Sequence, residues 1–135
     1  PVDGVVAVGI DIQVDNGVRT GHMLHALTAE TAVGSDASVD NAAGTTGGAV
    51  GHIHVTSVTQ GTGGTLTVLI QQSTTGAFAG EETTLITFTL ISGTAKVAET
   101  VSVSGTVNRY LRGRRSAVGG TGGSWTYAVA IGRGR

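Results

Sequence analysis

A four-residue phrase occurs twice in this 135-residue chain, each time in the same setting. Gly61-Thr62-Gly63-Gly64 leads into Thr65-Leu66-Thr67-Val68, and Gly120-Thr121-Gly122-Gly123 leads into Ser124-Trp125-Thr126-Tyr127. Polar and apolar residues alternate in both continuations, which is the period of a β-strand, whose successive side chains point to opposite faces. An alternating run also precedes each phrase, so each phrase is predicted to be the tip of a β-hairpin. A chain punctuated this way is confined to antiparallel β architecture.

The rest of the chain has the same rhythm. Val2 to Val14 is predicted to be a strand, with Val6, Val8, Ile10, Ile12 and Val14 on one face and Asp11, Gln13 and Asp15 on the other, and Asp15-Asn16-Gly17 then makes a turn, since Asn and Gly tolerate positive φ. Gly21 to Thr31 could suit a short helix through Met23-Leu24, Ala26 and Leu27, but Thr28, Thr31 and the hairpin context favour a strand. Residues 34–51 are rich in Gly, Ala, Ser, Thr, Asp and Asn and read as a long loop with at most a short strand near Ala37 to Val39. Strands follow at His52 to Thr59, paired with Thr65 to Gln72, and at Glu81 to Ile91, with Ile86, Phe88 and Leu90 on one face. Val97, Val101 and Val103 define another, interrupted by Glu99. Val107 to Ser116 and Ser124 to Ile131 complete the set, the last with Trp125, Tyr127, Val129 and Ile131 aligned. About seven or eight strands with a turn every ten residues predict a single antiparallel β-sandwich domain over residues 1–135, with a β-barrel as the alternative.

Composition narrows the chemistry. The 23 glycines and single proline suit a strand-and-turn protein, and zero cysteines exclude disulfides, thiolate zinc sites and Cys nucleophiles. Only five aromatics are present, so the core must rest on Val, Leu, Ile and Ala. Such a core is thin, which predicts that neighbouring subunits supply part of the stability. No apolar run approaches the roughly 18 residues of a membrane-spanning helix, and no signal-peptide pattern is present. Pro1 suits either a complete short protein after Met removal or a portion of a longer one.

The net charge of −1 conceals a segregation. All nine acids precede residue 100, whereas six of the eight basic residues follow it, as Arg109, Arg112, Arg114, Arg115, Arg133 and Arg135. A bipolar chain suits a subunit that docks head to tail on its own copies; equally, the basic part could fold back on the acidic part within one monomer. On the intermolecular reading Arg109, Arg112, Arg114 and Arg115 meet Asp11, Asp15 and Glu30 of a neighbour. Reversing the charge of Arg114 and Arg115 should then block polymerisation without unfolding the monomer. Phosphate binding by these arginines would need interleaved aromatics for base stacking, and Tyr110 alone is present, so sequence-specific nucleic-acid binding is not expected.

No catalytic constellation assembles. Gly-Thr-Gly-Gly lacks the Lys-Ser/Thr and the helix of a phosphate loop, and there is neither a Gly-x-Ser-x-Gly elbow nor a His-Glu-x-x-His motif. Glu81 and Glu82 are adjacent and make a poor acid/base couple. The histidines form two pairs. His52 and His54 share a strand face but have no acid beside them, and His22 and His25 share a face only in a helix. No catalytic residue, metal site or cofactor is therefore expected.

Three ordered stretches resemble a known family. They are His52-Ile-His-Val-Thr-Ser-Val followed by Leu66-Thr-Val-Leu-Ile-Gln-Gln-Ser73; Ser104-Gly-Thr-Val-Asn-Arg-Tyr-Leu-Arg112; and Gly119-Gly-Thr-Gly-Gly-Ser-Trp-Thr-Tyr-Ala-Val-Ala130. With Leu24-His-Ala-Leu-Thr-Ala-Glu-Thr31 and Ser38-Val-Asp-Asn41, they resemble the C-terminal part of tailed-bacteriophage major tail (tail-tube) proteins. The chain departs from that pattern at Gly63-Gly64 and Gly122-Gly123, where the family has Ser-Pro. It departs also at Gln72, where the family has His, and at Arg114-Arg115, where an aromatic follows Arg-Ala. The resemblance implies a virion subunit, assembled in the bacterial host cytoplasm into a hollow DNA-conducting tube. Its partners would be its own copies and other virion proteins, not a membrane. Head decoration proteins share such small sandwiches and are the first alternative. A carbohydrate-binding sandwich on the virion surface is the second, with Trp125 and Tyr127 as its only stacking candidates.

Overall fold

The computed structural model describes residues 20–59, 61–118 and 121–134. The strand predicted from Val2 to Val14, the turn after it, and Asp11 and Asp15 lie outside the described residues. Ten strands follow one another: β1 (Thr20–Glu30), β2 (Gly34–Ser35), β3 (Val39–Asp40), β4 (Ala49–Thr59), β5 (Thr65–Ser73), β6 (Thr83–Thr87), β7 (Ile91–Ser92), β8 (Val97–Val103), β9 (Tyr110–Val118) and β10 (Ser124–Arg133). Three of them, β2, β3 and β7, are two residues long, leaving seven of substantial length. They form two antiparallel sheets. One has the order β1-β10-β4-β8; the other has β2-β9-β5-β6, with β3 on β9 and β7 on β5. The sheets pack face to face as an open β-sandwich, without closing into a barrel.

The doubled glycine phrase has a different role from the predicted one. β4 does not pair with β5, and β9 does not pair with β10: in each case the chain leaves one sheet and enters the other. The phrases are arches between layers. They lie side by side, because β4 pairs with β10 and β5 with β9, and an isolated bridge joins Thr62 to Thr121. The third residue of each phrase, Gly63 or Gly122, has φ near +70° (68° and 74°), a region that favours glycine. A Cβ on Gly61 would overlap the Thr121 carbonyl. The repeated sequence thus records two matching crossings in contact.

The alternation predicts the core well. Ile53 and Val55 of β4, Leu66, Val68 and Ile70 of β5, and Trp125, Tyr127, Val129 and Ile131 of β10 are all buried in one cluster. Phe88 joins them, so three of the five aromatics anchor a core that composition suggested would be aliphatic. Leu90 departs from the expected row: β6 ends at Thr87 and Leu90 is 55% exposed. Gly51 occupies an inward position on β4, where a Cβ would meet Ile86 at 2.8 Å and Ile70 at 3.0 Å. Its missing side chain is the space those facing residues use. β9 starts at Tyr110, three residues later than predicted, and Val107 instead bridges Thr45.

Candidate functional site

The arginine-rich strand is where sequence reasoning placed the interface, and its side chains divide by face. Leu111, Gly113 and Arg115 of β9 alternate inward, whereas Arg112 and Arg114 point the other way. Adjacent residues of a strand cannot share a face. The Arg114-Arg115 doublet therefore sends one guanidinium toward the sandwich interior, and it is Arg115, 8% exposed.

A buried charged group demands partners, because desolvation without them costs several kcal/mol. Arg115 has them. Its Nη1 donates to Asp36 Oδ1 at 3.2 Å and to the Tyr127 hydroxyl at 3.4 Å, and its Nε donates to the Ala32 carbonyl at 3.1 Å. Glu30 lies 3.5 Å from Nη2. His25, also buried, stacks on Tyr127 with ring centroids 4.2 Å apart and places Nδ1 2.8 Å from Asp36 Oδ1. Burial pushes the Tyr127 hydroxyl up to about 12, against the pull of Arg115. For Arg115 burial opposes the charge, but the bonds to Tyr127 and Asp36 and the field of Glu30 outweigh it and raise its pKa. The cluster ties β1, β9, β10 and the residues after β1 into one unit.

One part of it has the connectivity of a hydrolytic triad: Thr28 Oγ1 lies 3.1 Å from His25 Nε2, and Nδ1 meets Asp36. Two features oppose that chemistry. The Thr28 hydroxyl has a second acceptor in the Ala26 carbonyl, 3.1 Å away, and its single proton can serve only one of the two. The Asp36 oxygen that would orient the imidazole is shared with Arg115.

Arg109, Arg112 and Arg133 likewise find partners within the chain. Arg109 grips Asp40 through two bonds of 2.7 Å, which hold the Asp40 carboxyl down to about 2 and raise the guanidinium. Arg112 lies 3.5 Å from Glu82, donates to Gln71 Oε1 at 3.0 Å and sits 4.2 Å from the Phe78 ring centroid. Arg133 donates to the carbonyls of Ala43 and Asn41. Glu30, expected on a neighbour, is the Arg115 partner. Arg114 alone of the four candidate arginines has no ion-pair partner among the described residues. His25, Asp36 and Tyr127 were not anticipated as a unit; the adjacent arginines were the available signal, since one of two must turn inward.

The opposite side of the molecule differs in character. On the outer face of the β1-β10-β4-β8 sheet, one row runs Met23, Ala130, His52, Thr100 and the next Gly21, Gly132, Val50, Ser102. A third runs through Ala128, His54 and Ala98. No Asp, Glu, Lys or Arg lies in these rows. Met23 is 59% exposed, and Leu27 farther along β1 is exposed as well. Between Met23, Val50 and His52 the small residues Ala130 and Gly132 floor a shallow groove of about 430 Å³. His52 and His54 share this face as predicted, and the Nδ1 of His52 is held by Thr100 Oγ1 at 2.9 Å. No cluster of three metal-ligating side chains occurs among the described residues. Trp125 and Tyr127 are fully buried, so they offer no stacking platform for sugar. Compared with family models, with curated proteins and with solved structures, the chain matches none.

Proposed function

We propose that this chain is a structural subunit of a bacteriophage virion, a tail-tube subunit first and a capsid decoration protein second. The observation that carries the proposal is the outer face of the β1-β10-β4-β8 sheet, whose described rows contain no Asp, Glu, Lys or Arg. A domain that keeps its charged groups off one four-stranded face, and lines that face with Ala, Gly, Thr and an exposed Met, presents a flat surface suited to being covered. The resemblance to tail-tube proteins supplies the class of assembly. The partnering of Arg109, Arg112 and Arg115 inside the chain favours the decoration reading, because among the described residues it leaves only Arg114 of those four arginines without an ion-pair partner for polar head-to-tail stacking.

Electron microscopy of the purified protein at high concentration tests this. Hollow tubes or stacked rings are the expected result for a tube subunit; dispersed monomers or trimers turn the assignment to decoration. Met23→Glu places a charge in the uncharged face at an exposed position. It should abolish assembly while leaving the folded monomer intact, and normal tubes from that variant would remove the face from the interface.

A further inference from the structure

We infer that β8 is a homotypic docking edge: it pairs antiparallel with β8 of a second copy about a two-fold axis at Thr100. β8 closes one side of its sheet, and no described strand pairs with its outer edge. An edge strand presents unpaired N–H and C=O groups, and proteins normally guard it with bulges, prolines or charges. The other edge of the same sheet, β1, carries two register irregularities. β8 has none: its seven residues run in unbroken register along β4 from Val97 to Val103. It contains no Pro or Lys. Its single charge, Glu99, is turned to the inner side and held there, accepting from the Thr89 N–H at 2.8 Å and the Thr89 hydroxyl at 2.9 Å. The charge that could guard the edge is occupied elsewhere.

The sequence of β8 fits itself. Folded about Thr100, Val97 falls opposite Val103 of the second copy, Ala98 opposite Ser102, Glu99 opposite Val101 and Thr100 opposite Thr100. No like charges stand directly opposite; the two Glu99 are diagonal neighbours, about 7–8 Å apart, each held by its own Thr89. Val97, Val101 and Val103 are only partly buried at the edge, and the pairing brings all three from both copies together on the inner side. The outer face stays free of charge and becomes continuous across eight strands. A two-fold pair cannot be the repeat of a polar tube. The pair therefore describes the subunit outside such an assembly, and it does not depend on the tube.

The absence of cysteine makes the register directly testable. In an antiparallel pair opposed Cα atoms lie about 4.5–5.5 Å apart, within disulfide reach. Thr100→Cys should therefore yield a disulfide-linked dimer under mild oxidation. Ser102→Cys, on the same exposed face, should stay monomeric on a non-reducing gel, because its own copy is about 14 Å away, four residues at about 3.4 Å. It should cross-link instead when mixed with Ala98→Cys. Light scattering of the unmodified protein at low concentration, where no tubes or rings form, should give about twice the monomer mass. A monomeric unmodified protein overturns the inference. If its β8 amides also resist hydrogen exchange, the chain's own residues 1–19 cover the edge instead. Equal cross-linking by Thr100→Cys and Ser102→Cys overturns the register.

Discussion

A single arginine shows how position changes the meaning of a charge. Arg115 and Arg114 are neighbours in sequence and alike in composition, yet one is embedded between the sheets and the other, half-buried on the opposite face, has no ion-pair partner among the described residues. Removing a buried charge from its partners strands them, typically at about 3–5 kcal/mol. Arg115→Ala should therefore lower unfolding stability by about that amount in urea denaturation, by leaving Asp36 and Glu30 without their cation. Arg114→Ala should change it by less than about 0.5 kcal/mol. The double charge reversal expected to affect assembly alone would unfold the domain through Arg115. Arg114→Glu is the variant that separates assembly from folding.

The elements that hold the two layers in order are the arches. Each crosses between sheets with the same four-residue phrase, and the two touch at Thr62 and Thr121. Glycine serves two different purposes there. At Gly63 it adopts φ of 68° with open space around it, so Gly63→Ala should cost about 1–2 kcal/mol of left-handed strain. At Gly61 there is no room: a methyl group would strike the Thr121 backbone, and two backbones cannot both yield as a flexible side chain does. Gly61→Ala should be the more damaging of the two, and thermal melts of the pair give the comparison. Equal melting temperatures would show that the arches are not packed against each other. Both glycines could be identified as turn residues from sequence. Which one is there for space was not legible, because the neighbour that crowds Gly61 is sixty residues away.

The whole molecule should be most stable on a plateau bounded by its shifted groups. Asp40, held down to about 2 by Arg109, contributes stability that is present above its unfolded value near 4 and lost as pH falls toward 2. Glu81 acts in the same direction. Ser73 holds its carboxylate below the usual range, with Thr75 and the Thr74 and Phe78 N–H groups adding to the effect. Tyr127 works at the other end. Its hydroxyl is raised to about 12, so its contribution is present below about 10 and disappears as pH rises through 12. Urea midpoints measured across pH should fall at both ends. Asp40→Asn should flatten the acid limb and Tyr127→Phe the alkaline limb, and a Tyr127→Phe curve as steep as the parent's would mean that another group governs the alkaline end.

Fold class and the inward rows of β4, β5 and β10 were legible in the amino-acid order alone. Period-two alternation is a local property, and burying one face of a strand is enough to make it legible, as the row Trp125, Tyr127, Val129, Ile131 shows. The tertiary structure decided which strands meet. A glycine turn reverses the chain equally well within a sheet or between sheets, and only the need to bring the inward rows of β4 and β5 face to face selects the arch. It also decided the fate of the charges. Segregation along the chain was visible, but whether Arg115 meets Glu30 of its own chain or of another depends on residues eighty-five apart being brought within 3.5 Å. No local pattern encodes that distance; it is set by the packing of one sheet on the other.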